Sequence, residues 1–139
     1  MIRIEQIAAP DAADEAAIMA VLAAANAEAG WPHIREAVLL RLLNADGGVG
    51  GGLIGRISWQ WLYVQTLAVA PALRGQGWGL RLMEAAEAAA RLHGCIGARL
   101  DTYSFQARDF YEKQGYRVIG TIEDCPPGHA RHSMAKRFH

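Results

Sequence analysis

The sequence predicts a mixed α/β protein, with helices and strands alternating around one mixed sheet. Three observations carry this. Tyr63-Val64-Gln65-Thr66-Leu67-Ala68-Val69 is rich in β-branched and apolar residues, the composition of a strand. Leu80 to His93 places Leu80, Met83, Ala86 and Ala90 at helical spacing, with Arg81, Glu84 and Arg91 elsewhere on the cylinder. Between them Pro71 ends the strand ladder, because proline has no N–H to donate, and Arg74-Gly75-Gln76-Gly77-Trp78-Gly79 makes a tight strand-to-helix turn.

The remaining elements follow the same logic. Ile2-Arg3-Ile4-Glu5 alternates apolar and charged residues and is expected to be a first strand. Pro10 and Asp11 start an alanine-rich helix running to about Ala29, with Asp11 as N-cap. Gly30-Trp31-Pro32 ends it, and Ile34 to Leu43 is expected to form a second, shorter helix. Asn44-Ala45-Asp46-Gly47-Gly48 is a turn, and the glycines from Gly47 to Gly55 suggest strands interrupted by bends. A further strand begins near Ile57 and runs to Val69, with a bend expected near Gln60. The helix from Leu80 carries a Glu87–Arg91 pair at i,i+4 in the favourable order, and Gly94 closes it. Ile96 to Thr102 reads as a strand and Gln106 to Gln114 as a helix, with Ser104 or Phe105 near its cap. Tyr116 to Ile122 and Ala130 to Lys136 are the last two strands, separated by the rigid turn Pro126-Pro127-Gly128.

A chain of 139 residues fits one domain, 1–139, that can bury a working core. Formal net charge is zero, which gives no electrostatic footprint for nucleic acid or for an anionic membrane. No apolar run approaches the ~18 residues of a membrane span, and the N-terminus is unlike a signal peptide. Cys95 and Cys125 make no metal or disulfide pattern, so a reduced, cytoplasmic setting is expected. His129 and His132 stand three apart, an offset that on a strand sends them to opposite faces, so no metal is expected there.

The glycine turn presents unpaired backbone N–H groups at the positive end of a helix dipole, a natural seat for a phosphate. Glycine is needed because a Cβ would hold the ligand away from the amides. Two nucleotide readings fail on the letters. A P-loop requires Gly-Lys-Ser/Thr, and here Gly77 precedes Trp78. Gly75-x-Gly77-x-Gly79 has the wrong spacing for a dinucleotide fingerprint. The literal pattern at Gly50-Gly51-Gly52-Leu53-Ile54-Gly55 is followed by strand-like residues, with no acid about 20 residues on.

What remains is Arg-x-x-Gly-x-Gly at Arg74, Gly77 and Gly79, after a strand ending Leu67-Ala68-Val69. This resembles the acetyl-CoA signature of the GNAT superfamily of N-acetyltransferases. A second block, Ala107-Arg108-Asp109-Phe110-Tyr111-Glu112-Lys113-Gln114-Gly115-Tyr116, is similar to the family's Ala-x-x-Phe-Tyr-x-x-x-Gly-Phe/Tyr element and stands at the expected distance downstream. The resemblance implies a mixed, mostly antiparallel sheet whose parallel central strands, Tyr63–Val69 and Ile96–Thr102, splay apart around the cofactor. It also implies that main-chain groups of Leu67 and Val69 pair with pantetheine and that a backbone N–H near Leu67 or Ala68 polarises the thioester carbonyl. The amides of Arg74, Gly75, Gln76, Gly77, Trp78, Gly79 and Leu80 would take the pyrophosphate.

Tyr111 matches the family's usual general acid, which protonates the departing thiolate. Many members have an asparagine where this chain has Ser104, which keeps a shorter hydrogen-bonding reach to the cofactor. A carboxylate often stands on the strand read here as Tyr63–Val69; its place is taken by Gln65, which cannot accept a proton. Asp101, at the end of the other splayed strand, is the first candidate for the base, with Glu123, a water relay or an amine that arrives neutral as alternatives. Trp31, between the first two helices, together with Gln65 and Tyr103, forms the candidate acceptor set. Trp59, Trp61 and Tyr63 alternate and are expected on one strand face, more as core packing than as acceptor wall. The expected activity is acetyl transfer from acetyl-CoA, with no metal, to a primary amine of a small molecule or peptide. The alternative is a non-catalytic acyl-CoA-binding module. Family members often form homodimers, and the C-terminal edge strands are where two such chains would pair.

Overall fold

The computed structural model describes residues 1–139, which divide into two compact units, Met1–Ile34 and Arg35–His139. The first unit contains helix α1 (Ala12–Glu28). Asp11 caps it, its carboxylate accepting from the Asp14 amide at 2.8 Å. Ile2–Glu5 pairs with no strand: these residues are exposed and without regular structure, so the expected first strand is not formed. Alternation alone does not make a strand when no ladder partner meets its backbone groups.

The second unit is a six-stranded sheet, β1 (Arg35–Leu43), β2 (Val49–Ser58), β3 (Trp61–Val69), β4 (Gly97–Tyr103), β5 (Arg117–Glu123) and β6 (Ala130–Arg137), in the order β1-β2-β3-β4-β6-β5. Only β3 and β4 pair in parallel; the other neighbours are antiparallel. Two helices complete it: α2 (Trp78–Leu92), reached from β3 through a short 3₁₀ turn at Pro71–Leu73, and α3 (Arg108–Glu112). The mixed sheet matches the fold expected from the sequence.

Residues 35–43 were expected in a helix and form β1 instead. Leucines lie on both faces of this segment, so its period is ambiguous. The turn at residues 44–48 resolves it by bringing β2 back alongside: Val38 and Leu42 are buried on the core face while Leu39 is 67% exposed on the other. The glycine-rich segment is one continuous strand rather than several pieces. Gly51 and Gly52 have φ of +150° and +156°, and a Cβ on either would run into a backbone carbonyl, of Ala68 and of Leu40 respectively. Gly52→Ala therefore adds backbone strain to a steric clash and is expected to cost about 3 kcal/mol in urea unfolding. Gly120→Ala, with open space around its added methyl, is the control and should stay within about 0.5 kcal/mol.

The bend expected near Gln60 is a two-residue hairpin turn, with φ of 46° at Trp59 and 66° at Gln60. Trp59 thus belongs to the turn and does not share the strand face of Trp61 and Tyr63. Helix α2 lays Met83, Ala86 and Ala90, all fully buried, on the core face, against Leu53, Leu62, Ala98 and Leu100. Glu87 also points into this interface. It does not pair with Arg91 as expected; it accepts from Tyr116 Oη at 2.8 Å and from Lys136 Nζ at 2.7 Å. Arg91 reaches the His139 carbonyl and covers the Phe138 ring. A carboxylate 8% exposed needs both of these donors, and an i,i+4 partner on the solvent side supplies neither.

Candidate active site

Strand β3 carries an irregularity that shapes the site. Gly55 pairs with Val64 while Ile54 pairs with Thr66, so Gln65 is the extra residue of a β-bulge. Its consequence is a change of face: Leu62 and Val64 point into the core before the bulge, and Leu67, packed against the same core, does so after it. The parallel pairing of β3 with β4 stops at the same level, its last rung being Val64–Leu100. Beyond it the two strands no longer pair with each other, although β3 stays paired with β2 to Val69 and β4 with β6 to Tyr103. This is the splay expected from the sequence, and it leaves main-chain groups of residues 65–69 and 101–103 open to a ligand.

A cleft of about 570 Å³ occupies the core side of the splay. Leu67, Ala68 and Val69 form one wall, Arg74, Gly75 and Gly77–Leu80 its end, and Ala107, Phe110 and Tyr111 the opposite wall. Nine of the expected cofactor residues thus converge; Gln76 and Ser104 do not line the cleft. Gln76 instead braces the turn, donating to the Ala72 carbonyl and accepting from Trp78 Nε1. Ser104 Oγ accepts from the Ala130 amide at 3.0 Å and meets His129 Nδ1 at 3.1 Å.

The turn has the features an anion site requires. Gly75 and Gly77 have φ of +74° and +82°, and a Cβ at either position would find open space, so their conformation and not crowding in the chain requires glycine. The first helical hydrogen bond runs from the Arg81 amide to the Gly77 carbonyl, which leaves the amides of Trp78, Gly79 and Leu80 ahead of the ladder. No acidic side chain sits in the first turn of α2, so the positive end of the dipole is uncompensated. Arg74 folds back, its Nε donating to the Val69 carbonyl at 2.9 Å, which fastens the turn to the end of β3.

Tyr111 is 8% exposed, its ring edge-on to Phe110 and Tyr116 at 5.0 and 6.0 Å. Burial raises its phenol above the ordinary range, so it holds its proton at neutral pH. Helix α3, which carries it, is shorter than the expected 106–114 segment; the Ala107 amide at its start meets Thr102 Oγ1 at 3.5 Å, with no capping side chain on Ala107 itself.

Asp101 lies on the other side of the sheet, among partners distant from it in the chain. Its Oδ2 accepts from Arg131 at 2.8 Å and from Tyr63 Oη at 3.0 Å, and its Oδ1 from Ser133 at 2.7 Å. Burial alone would raise this carboxyl, but the hydrogen bonds from Ser133 and Tyr63 and the Arg131 guanidinium outweigh it and hold the group below its ordinary value. Because the native value is depressed, the contribution to stability is present above about pH 4 and is lost as pH falls through the native value. Asp101→Asn should therefore be less stable than wild type at about pH 7, with the difference in urea midpoint shrinking at about pH 3; a difference independent of pH would contradict this. Gln65 is exposed at the bulge and Tyr103 is half-buried at the end of β4, stacked on Phe105 at 5.5 Å. Trp31, in the first unit, is 69% exposed. His132 bonds Thr121 at 3.0 Å within the sheet, and His129 lies in the turn before β6.

Comparison with known proteins agrees with this architecture. The model of the acetyltransferase (GNAT) domain matches residues 35–118. Over 93 residues the chain is 47% identical to the blasticidin-S acetyltransferase of Streptomyces morookaense, covering 66% of this chain and 68% of that protein. An acetyltransferase of Agrobacterium fabrum is 38% identical over 128 residues, 92% of this chain and 93% of its own. The crystal structure of an acetyltransferase from Bacillus cereus superposes with a TM-score of 0.84 at 31% identity, over 96% of this chain and 98% of the other. The splayed pair of strands, the glycine turn at the head of α2 and these relatives together place the chain in the GNAT acetyltransferase family.

Proposed function

We propose that this protein is an acetyl-CoA-dependent N-acetyltransferase acting on a primary amine of a small molecule or peptide. The observation that carries the reading is the cleft itself, which runs from the uncompensated N-terminus of α2 to the hydroxyl-bearing ring of Tyr111. Acetyl-CoA would lie with its pyrophosphate on the amides of the turn and its pantetheine beside residues 67–69, and it supplies the activated acyl group as a thioester. The amine nitrogen attacks the thioester carbon, a C–N bond forms and the C–S bond breaks. The amides around Leu67 and Ala68 face the carbonyl oxygen as it gains charge. Tyr111 gives its proton to the departing sulfur and regains one from the acylated nitrogen through solvent.

Asp101 fits the base poorly, because three donors already engage its carboxylate and hold its proton affinity down. The reading that accords with this is an amine that reaches the cleft neutral. Gln65 and the engaged Asp101 also favour one second reading, a module that binds acyl-CoA without transferring it. Release of free thiol from acetyl-CoA on addition of primary amines separates the two. Amine-dependent release supports transfer, whereas tight binding with no release from any amine supports the module. The relative named blasticidin-S acetyltransferase puts blasticidin S in the first set of acceptors to be tried.

A further inference from the structure

The sheet face turned away from α2 is lined by cations stacked on aromatic rings. Strand register places Arg56, Tyr63 and Arg99 in one row across β2, β3 and β4, immediately before the splay. The Arg56 and Arg99 guanidinium carbons stand 4.6 and 4.4 Å from the centre of the same Tyr63 ring. That ring is fixed in turn by its hydroxyl, which donates to Asp101. In the neighbouring row Arg137 lies 5.8 Å from the Trp61 ring. Asp101 is the carboxylate that register brings to this face, and Arg131 already neutralises it. The Nε of Arg131 is buried with no acceptor.

Two guanidinium groups share one ring, and a third keeps a desolvated donor unsatisfied. This arrangement is costly in isolation: like charges repel, and an orphaned buried N–H forfeits a hydrogen bond. An oxyanion would relieve the repulsion between Arg56 and Arg99, since guanidinium donors match carboxylate and phosphate geometry. The row also stands beside the splay, one rung before the last parallel pairing of β3 with β4. Asp101 is the first residue of β4 beyond the last parallel rung, so this face meets the cleft through the splay. We propose that the Arg56–Tyr63–Arg99 row is the acceptor subsite and takes a primary amine that also carries an oxyanion group. Arg56 and Arg99 are its specificity-determining residues. The inference rests on the acetyl-transfer reading and narrows its substrate class.

The test uses matched acceptors: β-alanine against propylamine, and phosphoethanolamine against ethanolamine, with thiol release measured on full-length wild type, Arg56→Gln and Arg99→Gln. Wild type should favour the oxyanion-bearing member of at least one pair by about tenfold or more in kcat/KM, mainly through KM, and the ratio should fall toward one in either variant. The pair that shows the effect tells carboxylate from phosphate. A preference for the neutral amines, or one that survives both substitutions, overturns the proposal. A second readout is independent of turnover: the Nε–Hε NMR signals of Arg56 and Arg99 during titration with β-alanine and with phosphoethanolamine at constant ionic strength. Shifts in wild type that Arg99→Gln abolishes support the subsite even where no amine is acetylated, an outcome that counts against transfer and not against the oxyanion site. Absence of shifts with both probes overturns it.

Discussion

Replacing Tyr111 by phenylalanine is expected to lower turnover by about 10²–10⁴-fold while leaving acetyl-CoA affinity within a few-fold of wild type. The substitution removes one oxygen from a ring whose packing against Phe110 and Tyr116 is otherwise retained. The chemistry explains the split. On the proposed mechanism the hydroxyl is needed when sulfur departs, so its loss would appear in kcat, whereas cofactor binding would rest on backbone amides at the far end of the cleft. Steady-state thiol release at saturating amine, with calorimetric titration alongside, measures the two quantities. Equal turnover in the variant would remove Tyr111 from the mechanism, and the cleft would then need another acid.

Filling the glycine cradle should have the opposite signature. Gly77→Val and Gly79→Leu each place side-chain carbons where the pyrophosphate would lie against the amides. Gly77 sits at φ +82°, so valine there also strains the backbone, by about 1–3 kcal/mol. Gly79 is helical, and a Cβ would meet only the Phe110 ring at 3.4 Å, so Gly79→Leu separates loss of binding from loss of stability. Several charge-assisted hydrogen bonds, each worth about 1.5–3 kcal/mol, depend on close approach. At least a hundredfold weakening of acetyl-CoA is expected for both variants, with the folding of Gly79→Leu close to wild type. Calorimetry with acetyl-CoA and urea unfolding of the same samples give both numbers. Undiminished binding in Gly79→Leu would move the cofactor away from the turn.

The turn and Tyr111 were legible in the sequence because their chemistry is local. Gly75 and Gly77 announce positive φ by being glycine, the helix after them has a clear 3.6-residue period, and Tyr111 stands in a contiguous block. The parts that escaped depend on partners distant in the chain. Residues 35–43 carry leucines at both periods, and only pairing with β2 makes them a strand. The bulge at Gln65 is invisible in β3 alone, because it exists as a mismatch of count against β2. Asp101 looked available as a base from its own neighbours; Tyr63, Arg131 and Ser133 lie 30 to 38 residues away and engage it completely. Glu87 misled in the same way. Arg91 is its helical neighbour, but the buried side of α2 offered Tyr116 and Lys136, where a carboxylate out of water gains most from partners.

Acetyl-CoA is expected to occupy the cleft between residues 67–69, the turn at 74–80 and Tyr111. The direct measurement is a calorimetric titration of the full-length protein with acetyl-CoA. A single site of micromolar affinity, weakened by Gly79→Leu and retained by Tyr111→Phe, is the predicted result. No heat and no competition by free CoA, from a protein shown to be folded, would contradict the account and with it the assignment of an acetyl-CoA-dependent reaction to this chain.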